Sequence, residues 1–274
     1  MPELPEVETI KNDVRTHLLG RRVSAVDLKD PTLVRRPAPE EFVSRLVHNA
    51  FVSADRRAKY LIIGLDSGDS LVLQLAITGQ FILVRPVERL SKNTRLIVDL
   101  EDGGELRLVD ASGYARAQLL RAEEIAEALR LEELGPDPTS PGLAVAQLRA
   151  LLAGRRGRIK SLLIDQRFLA GLGNIYADEA LFRAGIHPAR EARSLGEDEV
   201  ARLFEAMRQV LLTGIAKRGT TIATYRDLLG QPGHYQEELQ VFRRTGLPCP
   251  RCGGPVEMIR LGARDTHFCP RCQR

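Results

Sequence analysis

Apolar residues recur along the chain in two rhythms, and the change between them divides it. Over residues 5–19 (PEVETIKNDVRTHLL), Val7, Ile10, Val14 and Leu18 fall on one helical stripe, and Gly20 is placed to stop it. From residue 22 to about 120 the apolar runs shorten: RVSAVDL, NAFVSADR, KYLIIGL, SLVLQLAI, QFILVRP, RLIVDL, LRLVD and ARAQLL. Asp66-Ser-Gly-Asp and Glu101-Asp-Gly-Gly read as hairpin turns between such runs. Many short strands with little helix predict a β-sandwich or partly closed barrel, with a short helix over 41–48 across one end. At Ala122 the helical rhythm returns in AEEIAEALRLEEL, VAQLRALLAG, IKSLLIDQ, NIYADEALFRA (174–184) and residues 197–216. Gly135 and the proline-rich run 136–141 read as a linker. Residues 217–240, with Gly219, Gly230 and Gly233, read as a long irregular loop, a length that goes with function or mobility. The expected fold is a multidomain α+β protein. A β-sandwich with an N-terminal helix spans 1–135, a helical domain 136–240, and a cysteine module 241–274.

Composition changes this picture only at the C-terminus. The chain has 274 residues, 43% apolar and 28% charged, which suits a soluble protein with a real core. No window approaches a membrane span and no basic-then-apolar leader opens the chain, so a cytoplasmic protein is expected. The net charge of +4 is modest, but residues 241–274 hold seven arginines against two acids, Glu257 and Asp265, for a local +5. A basic module of this kind suggests a phosphate-rich partner.

All four cysteines lie in the same segment, as Cys249-Pro-Arg-Cys252 and Cys269-Pro-Arg-Cys272. Each pair can bend into a turn that aims two thiolates at one ion, and the intervening 16 residues suffice for a hairpin. Four thiolates favour tetrahedral, structural Zn²⁺, with a redox pair or an iron–sulfur site as the alternatives. A zinc hairpin presenting Arg260, Arg264 and Arg271 would hold basic side chains rigidly against nucleic acid, although solvated surface arginines are common. Upstream, in DQRFLAGLGNIYADEALFRAG (165–185), Gly171 and Gly173 permit a tight reversal and Asn174 is placed as the cap of the next helix. Its free amides suit a phosphate, and the same pattern suits an ordinary helix hairpin. The nearby run Arg155-Arg-Gly-Arg-Ile-Lys160 favours the phosphate. Asp178 and Glu179 read as dipole partners or packing groups. Lys59, at a strand start, either enters a groove or ends in solvent. Finally, if Met1 is removed, Pro2 offers a secondary α-amine with an ordinary pKa near ~8, able to attack an electrophilic carbon beside Glu3. A solvated helix start is the plain alternative.

These pieces together resemble the bacterial formamidopyrimidine-DNA glycosylase family across essentially the whole chain. The matching stretches are PELPEVE, DQ…AGLGNIYADEALFRAGIHP, GTTIATY…G…GHYQ and PCPRCGGP…THFCPRCQR. Leu4 favours this branch over the endonuclease VIII branch, which tends to begin PEGPE. The resemblance implies a β-sandwich joined to a helix–two-turn–helix domain and a zinc-ribbon hairpin, with damaged double-stranded DNA held in the cleft between. It implies a monomeric enzyme of base excision repair, a glycosylase and AP lyase acting on oxidised or ring-opened purines. Pro2 would attack C1′ of a flipped nucleotide, and Glu3 would protonate the sugar ring oxygen. Glu6 would support the pocket, and Lys59, Asn174 and Arg264 would grip phosphates. Lys160 would stand at the rim of the damage pocket, and 220–225 would belong to a mobile loop closing over the base.

Three stretches depart from the family pattern. The usual His-Leu-x-Met-(Thr/Ser)-Gly is here Gln74-Leu-Ala-Ile77-Thr-Gly79, and Asp-x-Arg-x-Phe-Gly is Asp110-Ala-Ser112-Gly-Tyr114-Ala115. Lys-His-x-His is Lys92-Asn-Thr-Arg95. Ile77 and Tyr114 can still wedge between bases, but Ser112 lacks the reach and charge of the arginine it replaces. Base removal and nicking are therefore expected to persist, with weakened discrimination for cytosine opposite the lesion or weakened excision of 8-oxoguanine itself. The alternative is a DNA-binding protein of the same fold restricted to abasic sites or to lesions other than 8-oxoguanine.

Overall fold

In the computed structural model, which describes residues 2–274, the first apolar stripe becomes helix α1 (Leu4–His17). Pro5 sits in its first turn, where a missing N–H costs no helical bond, and Arg15 and His17 lie in its last. Met1, whose removal the amine chemistry requires, lies outside the described residues.

The strand region follows as β1 (Val23–Leu28), β2 (Val34–Arg36), α2 (Pro39–Leu46), β3 (Phe51–Arg57), β4 (Tyr60–Leu65), β5 (Asp69–Gln74), β6 (Gln80–Val84), β7 (Thr94–Leu100), β8 (Glu105–Val109) and β9 (Arg116–Arg121), then α3 (Ala122–Ala128). Two sheets form, in the orders β1-β7-β8-β6 and β2-β9-β5-β4-β3. Every neighbouring pair is antiparallel except β2 with β9. Alternation sends Leu61, Ile63, Leu71 and Leu73 of one sheet, and Leu96, Val98, Leu106 and Leu108 of the other, into a single core. Val7, Ile10, Val14 and Leu18 complete it. Each such side chain contributes roughly 1.5–3 kcal/mol on burial. The sandwich is as expected. Strand β2, three residues with two arginines, carries no alternation that would announce it.

The chain divides into two compact units, Met1–Glu132 with Ile215–Gln236, and Glu133–Gly214 with Glu237–Arg274. Against the three segments read from the sequence (1–135, 136–240 and 241–274), this differs in two respects. The segment 215–236 packs with the sandwich, where Tyr225 and Leu228 enter its core and the Leu83 N–H donates to the Leu228 carbonyl at 2.6 Å. The cysteine module shares a unit with the helices.

The second unit contains α4 (Val145–Leu152), α5 (Ile159–Leu163), α6 (Asn174–Ala184), most of α7 (Glu197–Ala216), and the hairpin β10 (Glu257–Leu261)–β11 (Arg264–Phe268). Gln166 braces the reversal before α6, donating to the Ile164 and Leu172 carbonyls and accepting from the Gly171 N–H, each at 2.9 Å. Glu179 is neither a dipole partner nor simple packing. Its carboxylate accepts the N–H groups of Gln240, Val241 and Phe242 at 2.9–3.0 Å and seats the start of the cysteine module on α6. Burial pushes this carboxyl up against the pull of the three amides.

Candidate active site and phosphate-facing elements

Pro2 and Glu3 are both buried where the chain enters α1. Glu3 is the N-cap residue, and its N–H donates to Glu6 Oε2 at 2.7 Å. The other oxygen, Glu6 Oε1, accepts the Thr220 N–H at 2.7 Å. One buried carboxylate thus ties the N-terminus to the loop that the sequence marked as irregular. Gly219 sits at φ +83° against it, and a Cβ there would meet Glu6 Cγ at 2.8 Å. Gly233 is as constrained, since its Cβ would lie 2.2 Å from the Gly219 carbonyl. A larger residue at 219 would push the loop off α1, and one at 233 would force the loop's own strands of chain apart.

Two further contacts fix the loop. The Arg218 guanidinium bridges Asp13 of α1 at 2.6 Å and Asp227 of the loop at 2.5 Å. The buried Tyr225 hydroxyl donates to the Glu6 carbonyl at 3.4 Å. Burial, with the Glu6 and Asp227 carboxylates nearby, pushes this phenol well above its ordinary range, so it stays protonated. Asp13, Arg218 and Asp227 were not singled out from the sequence. The one available signal is Asp13, a carboxylate three residues after Ile10 beside an apolar stripe.

Lys59 lies half-buried in the tight β3–β4 turn, beside Ala58 at φ 53°. The turn is fastened to α1, because Arg56 donates to Glu8 at 2.8 Å and to the Ala58 carbonyl at 2.9 Å. Burial raises the Glu8 carboxyl, but Lys11 and Arg56 outweigh it and hold the group below its usual range. The turn that carries Lys59 is therefore braced against the helix that follows Pro2 and Glu3.

Ile77 and Tyr114 stand on separate loops of the same unit, 48% and 61% exposed. Asp110 welds the two loops. Its carboxylate accepts from the Thr78 hydroxyl, the Ser112 hydroxyl at 2.8 Å, the Ser112 N–H at 3.0 Å and the Ala115 N–H at 2.9 Å. Burial alone would raise the Asp110 carboxyl, yet these donors hold it below its usual range. The Ser112 hydroxyl is thus committed to Asp110. Arg95 supports the second loop from beneath, donating to the Asp110 carbonyl at 2.9 Å and to Asp30 at 2.7 Å.

In the second unit, Asn174 is not the cap of α6; Gly173 takes that position. The Asn174 amide instead donates to the Asp265 carbonyl at 2.9 Å, which brings it next to Arg264 at the β10–β11 turn. Lys160 is buried within the same unit rather than standing at a rim. The start of α6, the Asn174 side chain and the exposed Arg264 form a phosphate-compatible group.

The Sγ atoms of Cys249, Cys252, Cys269 and Cys272 all lie within 4.8 Å of one another. Cys249 and Cys272 are 3.8 Å apart, and Cys252 and Cys269 3.6 Å. A tetrahedron with Zn–S bonds of about 2.3 Å has edges of about 3.8 Å, so the donor set fits one zinc ion with no open position. The two halves match locally, since Gly253 N–H bonds to the Cys249 carbonyl at 2.9 Å and Gln273 N–H to the Cys269 carbonyl at 3.0 Å. His267 is not a ligand; its N–H and ring face Asp178.

No helix among the described residues is long and apolar enough to cross a membrane. Family models match three successive stretches: the formamidopyrimidine-DNA glycosylase N-terminal domain over residues 1–117, its H2TH domain over 134–226, and a zinc finger found in FPG and IleRS over 246–274. A formamidopyrimidine-DNA glycosylase of Moorella thermoacetica is 47% identical over 260 residues, covering 95% of each chain. The solved structure of MutM (FPG) from Thermus thermophilus is 40% identical with a TM-score of 0.88, covering 99% of this chain and 98% of that one. Lactococcus lactis Fpg in complex with an abasic site containing DNA gives a TM-score of 0.93 at 31% identity, covering 99% of both.

Proposed function

Because the chain belongs to the formamidopyrimidine-DNA glycosylase family, we propose that it is a bifunctional DNA glycosylase and AP lyase of base excision repair, acting on oxidised or ring-opened purines in duplex DNA. The observation that carries this reading is the buried Pro2–Glu3 entry to α1, held by Glu6, whose other oxygen takes the Thr220 N–H of the 217–236 loop. In the proposed reaction the Pro2 amine bonds to C1′ as the glycosidic bond breaks; the amine gives up its proton and the departing base takes one up. Glu3 gives a proton to the sugar ring oxygen, and the ring opens to an iminium. That cation draws electrons from the C2′–H bond, so a proton leaves C2′ and the 3′ phosphate departs; a second elimination releases the 5′ phosphate.

Lys59, Asn174 and Arg264 suit phosphate contacts, and Ile77 with Tyr114 suits a wedge into the stack left by the flipped nucleotide. Zinc, when bound, would clamp the two cysteine turns and so fix the hairpin that carries Arg264. We read the protein as a cytoplasmic monomer associated with the nucleoid through DNA. The inward bonding of Ser112 supports weak discrimination for cytosine opposite the lesion.

The test is incision of duplexes carrying one 8-oxoguanine, one formamidopyrimidine or one abasic site, each opposite C, T, G or A. Base release followed by a gap with phosphate at both ends supports the reading, with rates differing little among opposite bases. Incision of the abasic duplex alone would favour the restricted activity. A strong preference for cytosine would overturn the role given to Ser112.

A further inference from the structure

Lys160 occupies a position that disfavours an ammonium group, since it is 0% exposed. Its Nζ donates to Asp178 Oδ1 at 2.5 Å and to the Asp265 carbonyl at 3.3 Å. Asp178, also buried, turns its other oxygen to the His267 N–H at 3.0 Å and to the His267 ring Nδ1 at 3.2 Å. Asn174 reaches the same Asp265 carbonyl at 2.9 Å. Side chains from α5 and α6 therefore converge on residues 265 and 267 of β11. Arg264 immediately precedes them, paired in register with Leu261 across the Gly262–Ala263 turn. Its side chain is exposed and makes no hydrogen bond or ion pair among the described residues.

A lysine so enclosed cannot itself meet a phosphate or a damaged base. An apolar pair would fill the same space without desolvating two charges, but it would not aim at one carbonyl and one N–H of β11. We propose that Lys160 is a positioning residue: through Asp178 and the Asp265 carbonyl it fixes the β10–β11 turn so that Arg264 is presented to the DNA backbone. The proposal rests on reading Arg264 as a phosphate contact, and the two can fail separately.

The test is a double-mutant cycle on the zinc-loaded protein. Kd for a duplex carrying an abasic-site analogue is measured over a range of salt for wild type, Arg264→Ala, Lys160→Met and the combination. Zinc content and hydrogen exchange of the 264–268 amides are followed in parallel. Each single substitution is expected to weaken Kd by about tenfold and to flatten the salt slope by about 0.9, the share of one phosphate contact. The combination should be no more than about twofold weaker than Arg264→Ala alone. Exchange at 265–268 should quicken in Lys160→Met while zinc stays bound. The pair Lys160→Met/Asp178→Asn, which leaves no buried carboxylate unpaired, should show the same coupling. A Lys160→Met effect undiminished in the Arg264→Ala background overturns the proposal, because the lysine then acts elsewhere or only through stability. Unchanged exchange of β11 overturns it too. If Arg264→Ala alone alters neither Kd nor slope, the phosphate reading of Arg264 falls first, and the role in DNA binding falls with it, even where exchange shows the anchor to be real.

Discussion

Replacing Glu6 by glutamine removes one charge and one acceptor while keeping the shape of the side chain. In the folded protein the two carboxylate oxygens accept the N–H groups of Glu3 and Thr220, both at 2.7 Å. Neither donor has access to water as a substitute, since Glu3 and Thr220 are 2% and 3% exposed. A glutamine amide can accept from only one of them and turns its own N–H₂ toward the other. Stranding a buried donor costs about 1–3 kcal/mol, and losing the charge on the remaining bond about 1 kcal/mol more. Glu6→Gln should therefore destabilise the first unit by about 2–4 kcal/mol. The same loss should be felt in catalysis, because the broken bonds are those that join the Glu3 backbone to the 217–236 loop. Urea unfolding gives the first quantity, and single-turnover incision of an abasic duplex at saturating enzyme gives the second, with a rate reduction of at least about tenfold expected. A variant within about 0.5 kcal/mol of wild type and with an unchanged single-turnover rate would show that this bridge neither stabilises the loop nor positions the nucleophile.

Ser112→Arg should raise the preference for cytosine opposite the lesion by roughly 5- to 150-fold, the ~1–3 kcal/mol of a bidentate arginine–base contact; equal incision opposite all four bases would argue against it. Cys252→Ala, or chelation of the metal, should release the β10–β11 hairpin and abolish tight duplex binding while the sandwich core stays folded; binding that survives complete zinc removal would contradict this. The Asp110 carboxyl, held below its usual range in the folded protein, stabilises fully above the unfolded value of about 4, and that contribution disappears as pH falls through the folded value. The urea midpoint of Asp110→Asn should thus lie below wild type between pH 5 and 8, with the gap closing below about pH 4; a gap that persists in stronger acid would assign the effect to packing.

The sandwich was legible because its strands alternate and its hairpin turns have the right residues. Helix α1 and the four-thiolate centre were legible for equally local reasons, one stripe of four apolar residues and two short cysteine spacings. What escaped depends on partners far apart in the chain. Arg218 bonds to Asp13 across 205 positions, and Thr220 to Glu6 across 214, so no local pattern marks the 215–236 segment as part of the first unit. Lys160 closes a basic run and reads as solvated or pocket-facing. Its burial depends on partners outside the run, among them Asp178, 18 residues on and on another helix, and the Asp265 carbonyl. Asn174 looks like a cap because asparagine often is one, but Gly173 adopts the cap conformation and frees the amide to reach Asp265. The loops that carry Ile77 and Tyr114 fall between these cases. The departures at Ile77, Ser112 and Tyr114 were visible as substitutions, whereas the inward turn of Ser112 followed only from the position of Asp110.

Borohydride trapping on duplex DNA containing one abasic site, with the protein's N-terminus first confirmed as Pro2 by intact mass, bears on the proposed amine chemistry at its first covalent step. A stable adduct should form in stoichiometric amount, and peptide mapping should place it on Pro2. Blocking the α-amine should abolish it. An adduct on Lys59 or another lysine, or none at all from protein that binds the duplex tightly, would contradict the mechanism.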